Sequence, residues 1–136
     1  AGSSSSTWWR AGALLAEAGW RVKAPDLPSH GASPRLSTPL TPGAAAARLI
    51  DDLADRPIDL VVGHGFGGAV ALALQQHGPV IHSLVLEEYA DGERDWPAAA
   101  DAMVTAADRA RRDPEAARAE LRVSRPGWDE QDRKQA

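Results

Sequence analysis

The sequence contains no cysteine among its 136 residues. Disulfide bonds, thiolate-based zinc sites and a thiol nucleophile are therefore excluded from these residues. No apolar run approaches the roughly 18 residues that a membrane-spanning helix requires. The first residues, AGSSSSTWWR, lack the basic start and apolar run of a signal peptide. These features lead us to expect a cytoplasmic protein with no membrane partner, no metal and no cofactor.

The basic residues are scattered along the sequence and do not form a basic patch. The 15 basic residues are outnumbered by 19 acidic residues, which gives a net charge of -4 and no electrostatic footprint for a nucleic acid. Arginines 109, 111 and 112 are interleaved with acidic residues and predict a solvated helix face. The length allows one domain with one modest hydrophobic core.

Helix and strand signals alternate along the first part of the chain. Thr7 is placed to cap a helix over about residues 8–18, and Gly19 is placed to end it. The next residues, WRVKAP at 20–25, predict a short strand. A loop rich in proline, glycine and serine follows, and Thr41-Pro42 begins a second helix, because proline at the first helical position loses no hydrogen bond.

The pattern then repeats around a glycine-rich segment. The apolar run IDLVV at 58–62 predicts a buried parallel strand, residues 67–77 predict a helix, and IHSLVLEE at 81–88 predicts a third strand. Alternating strands and helices indicate an α/β fold with about three parallel strands and flanking helices.

The character of the sequence changes after residue 89. Residues 96–123 are predicted to be helical, with a break at Asp113-Pro114, where the aspartate caps a second helix and the proline begins it. A division into an α/β part, 1–89, and a helical part, 90–136, follows from this change.

The stretch DLVVGHGFGGAVALAL admits two functional interpretations. In the first, Gly63, Gly65 and Gly68 form a G-x-G-x-x-G turn between a strand and a helix, which suits the pyrophosphate of a dinucleotide. Glu87 or Glu88 would then lie at the spacing expected for an acid that binds the ribose. This interpretation predicts an NAD(P)-binding module.

In the second interpretation the same residues form the sharp turn of a serine hydrolase, G-x-nucleophile-x-G. We call Gly63–Gly68 the elbow. Gly63 and Gly67 supply the small residues that the turn needs, and His64 and Phe66 occupy the two variable positions. The central position, where the nucleophile belongs, is Gly65.

The rest of the chain favours the second interpretation, since a dinucleotide fingerprint usually opens its domain and here 57 residues precede the strand. The loop D-x-P-x-H-G-x-S at Asp26–Ser33, the elbow and the strand SLVLEE resemble, in order and separation, the α/β-hydrolase family of esterases and C–C hydrolases. The segment RPGWDEQDR resembles the helical cap of that family. The resemblance implies a partial hydrolase sheet in 1–89 and a cap-like segment in 90–136.

The resemblance also implies site residues. The serine of the family would stand at Gly65, and the backbone N–H of Phe66 would be one oxyanion donor. Ala1 or Gly2 would be the second donor, because AGSSSSTWW resembles the continuation of the family's His-Gly loop. Glu88 occupies a place that some members use for the catalytic acid, and the alternative is an acid at a strand end in solvent.

No histidine lies where the family has its general base, and none follows His82. We expect His30 to brace its loop by hydrogen bonds, His64 to be packed beside the elbow, and His77 to lie at a helix end. Without a nucleophile or a base, the chain is expected to be a catalytically inactive member of the family. The alternatives are a pseudo-hydrolase that binds a small apolar ester-like molecule, and the NAD(P)-binding module.

Two further expectations concern the pocket and the core. Trp96, Met103 and Trp128 are candidates to line a pocket for that ligand. In the family a further strand lies between the strands that match 20–25 and 58–62. The resemblance therefore implies a central fragment of a hydrolase, which we expect to fold poorly alone because each unpaired buried backbone group costs about 1–3 kcal/mol.

Overall fold

The computed structural model describes residues 4–53, 56–89 and 96–135. Within these residues the chain forms a 3-10 turn, six α-helices and two β-strands. In chain order they are the turn Ser5–Trp8, α1 Trp9–Glu17, α2 Pro42–Leu53, β1 Ile58–His64, α3 Phe66–His77, β2 Ile81–Glu87, α4 Trp96–Arg112, α5 Pro114–Ser124 and α6 Glu130–Gln135.

The chain forms two compact units, one of residues 1–35 with 100–136 and one of residues 36–99. This grouping does not test the division into a hydrolase-like core through residue 89 and a cap-like segment after it, which stays a prediction. In the described part of the chain, no helix is both long enough and apolar enough to cross a bilayer. The cytoplasmic location stays a prediction.

The unit 36–99 is built on a β–α–β arrangement. β1 and β2 pair in parallel, with a register that runs from Ile58 opposite Ile81 to His64 opposite Glu87. α3 connects the two strands and contacts both of them. A parallel pair needs such a crossover, because its strands cannot be joined by a tight hairpin. The α/β class predicted from the sequence is therefore confirmed.

The hydrophobic core of this unit lies mainly between α2 and α3, which pack against each other. Four of its nine buried hydrophobic residues are alanines, and the others are leucine, phenylalanine or valine. The buried hydrophobic residues are Leu40, Ala45, Ala46, Leu49, Phe66, Ala69, Val70, Ala71 and Leu74. The sheet is less well covered, since Val62 in β1 is 37% exposed and Val85 in β2 is 48% exposed. Whether the chain unfolds cooperatively on its own stays a prediction.

The strand predicted over residues 20–25 is not formed, so the sheet has two strands where the sequence predicted about three. Within the described residues, the sheet contains β1 and β2 and no further strand. A strand requires a neighbour that pairs with its backbone groups. The side chains of Trp20 and Val22 are 46% and 39% exposed, so this segment also lacks a buried face.

The helix start predicted at Thr41-Pro42 and the cap predicted at Asp113 are both found, and the cap predicted at Thr7 is not. The Thr41 hydroxyl accepts the N–H of Ala44 at 3.1 Å, and the Asp113 carboxylate accepts the N–H of Ala116 at 2.9 Å. Proline is the first residue of both helices, α2 and α5. The prediction for Thr7 was wrong, because it lies in the 3-10 turn and its hydroxyl donates to the Ser4 carbonyl at 2.9 Å.

Ion pairs connect α1 to the last part of the unit of residues 1–35 and 100–136. Arg10 in α1 forms ion pairs with Asp129 and, at 3.0 Å, with Asp132 near the last helix. Its guanidinium also lies over the ring of Trp9, 4.9 Å from the centroid. Exposed pairs of this kind each contribute little to stability.

The core packing of α3 leads to a stability prediction. Leu74 is 4% exposed, so truncation to alanine leaves a cavity, and Leu74→Ala should lower the free energy of unfolding by about 2–5 kcal/mol. Leu14 is 66% exposed and is the matched control, for which Leu14→Ala should change that free energy by less than about 0.5 kcal/mol. Urea titration followed by circular dichroism measures both, and equal effects would contradict the described core.

Candidate functional site

The elbow is the sharp turn that leads from β1 into α3. Gly65 has φ 53° and ψ -118°, in a region that residues with a side chain rarely adopt. Its N–H donates to the carbonyl of Glu87 in β2 at 2.9 Å, and its own carbonyl accepts the N–H of Gly68 at 3.0 Å. The turn is therefore fixed by the neighbouring strand on one side and by the first helical turn on the other.

Glycines on both sides of the turn allow β1 and α3 to touch backbone to backbone. A Cβ added to Gly63 would lie 2.6 Å from the carbonyl oxygen of Gly67 and 2.7 Å from the Cα of Gly68. A Cβ on Gly68 would lie 3.3 Å from the Gly63 carbonyl and 3.3 Å from the ring of Tyr89. The strand and the helix can approach this closely only because these positions carry no side chain.

Gly65 differs from its neighbours because the space around it is open. A Cβ placed there would meet no atom within 4 Å. A side chain at this position would therefore be limited by backbone strain, about 1–3 kcal/mol for a sparsely populated backbone conformation, and not by crowding. The elbow keeps the shape of a nucleophile turn while its apex presents only a hydrogen atom.

His64 and Glu88 form a hydrogen-bonded pair beside the elbow. The His64 Nε2 lies 2.9 Å from the Glu88 Oε2. His64 ends β1 opposite Glu87, so Glu88 comes one residue beyond that pair in the register. The two side chains are 45% and 65% exposed, and the expectation that His64 would be packed is therefore wrong.

Glu88 also has an unusual backbone conformation. Its φ of 49° lies in the left-handed region, which is uncommon for a residue with a side chain. β2 ends at Glu87, and the chain turns at the next residue, which brings the Glu88 carboxylate against His64. The role of Glu88 as a catalytic acid stays a prediction.

The other predicted site residues have mixed outcomes. Phe66 is the first residue of α3 and is 8% exposed, and its role as an oxyanion donor stays a prediction. Ala1 and Gly2 lie outside the described residues. The side chains of Trp96 and Met103, both in α4, also lie outside what the structure describes.

Two further residues can be placed, Trp128 and His77. Trp128 is half-buried in the unit of residues 1–35 and 100–136, where it lines a surface cleft together with Trp9 and Arg10. His77 is the last residue of α3, at the helix end predicted for it. A positively charged ring at that end would interact favourably with the helix dipole.

The loop D-x-P-x-H-G-x-S is organised around the Asp26 carboxylate. Asp26 accepts the backbone N–H groups of Ser5 at 2.6 Å and Ala32 at 2.8 Å. The Ser33 hydroxyl donates to the Asp26 carbonyl at 2.7 Å. Gly31 has φ 50° and faces the Asp26 carboxylate so closely that a Cβ would collide with it.

His30 belongs to the same loop. Its Nδ1 lies 3.0 Å from the carbonyl oxygen of Pro28, which agrees with the expectation that it braces the loop by hydrogen bonding. Because a carbonyl can only accept, Nδ1 carries the proton in this contact. Pro28 is itself buried, so the bond is made at the inner side of the loop.

The hydrogen bonds to Asp26 change its acidity. Partial burial acts to raise the pKa of this carboxyl, but the backbone N–H groups of Ser5 and Ala32 act against it. The Ser5 hydroxyl and the charge of His30 act in the same direction, and together these contacts lower the pKa of Asp26 below its usual value. The charged carboxylate is therefore the form that holds the loop.

The sequence interpretation missed the pairing of His64 with Glu88. A signal for it was present, because carboxyl ends of neighbouring parallel strands meet at one edge of a sheet. Glu88 is the last residue of its predicted strand, and His64 lies two positions beyond the end of the other. Among the described residues, no cluster of three or more histidine, aspartate or glutamate side chains could hold a metal ion.

The close contact at Gly63 leads to a prediction. Gly63→Ala should destabilise the protein by about 3 kcal/mol or more, because its Cβ would collide with backbone atoms that cannot move aside. Gly67→Ala is the matched control: a Cβ there meets nothing within 4 Å, and stability should stay unchanged or rise by up to about 1 kcal/mol. Thermal unfolding measures both, and a tolerated Gly63→Ala would rule out the described elbow.

The lowered pKa of Asp26 leads to a pH-dependent prediction. Its contribution to stability should be complete above the unfolded value of about 3.9 and should disappear as the pH falls through the lower folded value. Asp26→Asn should therefore lower the unfolding temperature near neutral pH, and this deficit should shrink below about pH 4. Asp59→Asn, at an exposed position in β1, should show no such deficit at any pH.

Comparison with known proteins identifies the family. Residues 1–135 match the alpha/beta hydrolase family. The chain is 43% identical over 106 residues to lipase LipV of Mycobacterium tuberculosis, an alignment that covers 73% of this chain and 39% of the lipase. The chain thus spans about two fifths of the length of that relative. No solved structure matches the chain. The family match covers nearly every residue, and the chain belongs to the alpha/beta hydrolase family.

Proposed function

We propose that this chain does not carry out the serine-dependent hydrolysis of its family and instead binds a small apolar ester-like molecule without forming an acyl-enzyme. The observation that carries the proposal is Gly65. It has φ 53° and ψ -118° at the apex of the elbow, with open space where a nucleophile side chain would project. Covalent catalysis by this family needs a hydroxyl at that point.

The surrounding turn supports a loss of chemistry without a loss of shape. The backbone contacts of Gly63 with Gly67 and Gly68 do not involve the residue at the apex. Glycine at position 65 also avoids the strain that a side chain would have at positive φ. A binding site that depends on the backbone of the elbow would therefore persist in this chain.

The class of ligand is suggested by the relative. LipV is named a lipase, and a lipase acts on an apolar ester. Because the chain covers 39% of that protein, both the ligand class and the loss of activity are proposals for this chain.

The dinucleotide interpretation is the weaker alternative. It needs an acid such as Glu88 to bind a ribose hydroxyl, whereas the Glu88 carboxylate is hydrogen-bonded to His64. The elbow glycines suit both interpretations, but family membership favours the hydrolase turn. We therefore propose no nucleotide cofactor.

A fluorophosphonate probe tests the proposal directly, because it labels activated serine side chains. The chain should acquire no adduct in intact-protein mass spectrometry, and p-nitrophenyl butyrate should give no acyl-enzyme burst. The same ester should raise the unfolding temperature, because a ligand that binds the folded chain stabilises it. Gly65→Ser should gain an adduct at residue 65, since the hydroxyl has room there.

Ser83 provides the control for this experiment, because it is an exposed serine in β2 of the same sheet. Adding Ser83→Ala to Gly65→Ser should leave the adduct in place. An adduct on the original chain would contradict the proposal, and so would an unfolding temperature that the ester leaves unchanged.

A further inference from the structure

We propose that His64 and Glu88 form a general-base pair with which this chain slowly hydrolyses small activated esters by direct attack of water. The inference rests on the proposed function in one respect: the elbow supplies no nucleophile, so water must take that part. It adds a base that the sequence pattern alone did not assign, since His64 precedes Gly65 and was expected to be packed.

The hydrogen bond between the two side chains determines which ring nitrogen is the base. Ionised Glu88 can only accept, so the neutral ring of His64 carries its proton on Nε2, 2.9 Å from the carboxylate. The Nδ1 atom then keeps its lone pair. Within the described residues, the hydrogen bond of the His64 ring is made by Nε2, so Nδ1 is the atom that can take a proton from water.

Access and position both suit this role. The His64 side chain is 45% exposed and that of Glu88 65%, so water reaches the pair freely. His64 is the residue next to Gly65, and adjacent Cα atoms lie about 3.8 Å apart. The apex at Gly65 is itself open, with nothing within 4 Å of an added Cβ.

The backbone at Glu88 supports a functional role for the pair. A glutamate at φ 49° is strained, whereas a glycine would not be. Strained residues with side chains concentrate at functional sites, where the surrounding structure holds them in place. The pair is also too exposed to contribute much to stability, so stability gives a weak reason for keeping this strain.

The reaction balances with water as the only co-reactant. His64 Nδ1 takes one proton from water as the water oxygen forms a bond to the ester carbonyl carbon. The bond from that carbon to the leaving oxygen then breaks, and the leaving oxygen keeps the electron pair. The imidazolium returns its proton to the leaving group, so the products are a carboxylic acid and an alcohol. Glu88 orients the ring and stabilises its charge throughout, as a positioning residue.

Steady-state hydrolysis of p-nitrophenyl acetate by the full 136-residue chain tests the inference. General-base catalysis typically contributes 10²–10⁴-fold, and an exposed pair should lie at the lower end, so His64→Ala should reduce kcat about 10-fold or more. His64→Gln should behave alike while keeping a polar side chain. His82→Ala is the matched control, because His82 is an exposed histidine in β2, and it should leave kcat unchanged.

Glu88 is tested by a different readout, since it acts through His64. Glu88→Gln should lower kcat several-fold with KM unchanged, and Glu88→Asp should restore part of that loss. Glu87→Gln removes the neighbouring exposed carboxylate and should have no effect. A purely structural role for Glu88 would instead give equal losses for Glu88→Gln and Glu88→Asp, parallel to any loss of unfolding temperature.

A solvent isotope effect and mass spectrometry separate the outcomes. Proton transfer from water should slow the reaction clearly in D₂O, and no acetyl group should accumulate on the protein. Hydrolysis equal to buffer, an unchanged rate in His64→Ala, or an acetylated His64 would each overturn this inference and leave the proposed function standing. An acyl adduct on a serine would overturn the proposed function itself.

Discussion

The contact between the end of β1 and the start of α3 is the constraint on which the site depends. Gly63 lies so close to the backbone of Gly67 and Gly68 that a single added carbon would not fit. With the two elements in contact, the chain must reverse within one or two residues, and that reversal puts Gly65 at φ 53°. The positions of His64 and of the first turn of α3 then follow from the same contact.

This arrangement separates the residues that determine shape from the residue that determines chemistry. The glycines at 63 and 68 are required by packing, whatever stands at the apex. Packing does not require a glycine at position 65, because a Cβ added there would meet no atom within 4 Å. A glycine there leaves the apex without a side chain and lowers the backbone strain. The shape of the turn therefore does not depend on which residue stands at its apex.

Features encoded within a few residues were predictable from the sequence, and features that depend on distant partners were not. Thr41 and Asp113 cap the helices predicted for them, since a cap and the N–H it accepts lie three residues apart. The strand at 20–25 could not be judged locally, because a strand exists only when another strand pairs with it. Thr7 shows that a competing local bond, here to the Ser4 carbonyl, can replace a cap.

In the candidate site, too, local features were predictable and contacts between distant residues were not. The elbow was predictable because glycines at this spacing indicate that a strand and the helix directly after it are in close contact, as β1 and α3 are. His64 was expected to be packed because sequence alone does not say which neighbour a strand end will have. Its partner Glu88 is 24 residues away and meets it through the register of β1 with β2.

A catalytic site does not lose all of its parts when it loses one. In serine hydrolases the nucleophile, the base and the backbone donors act as a unit, and removing one catalytic residue leaves the rate that binding and backbone groups provide. In this chain the apex at Gly65 lacks a side chain, while a histidine–carboxylate pair stands one residue away with a bond of 2.9 Å. A base that has no nucleophilic side chain beside it can still take a proton from water. The arrangement at the ends of β1 and β2 therefore favours proton transfer over covalent attack as the chemistry that remains.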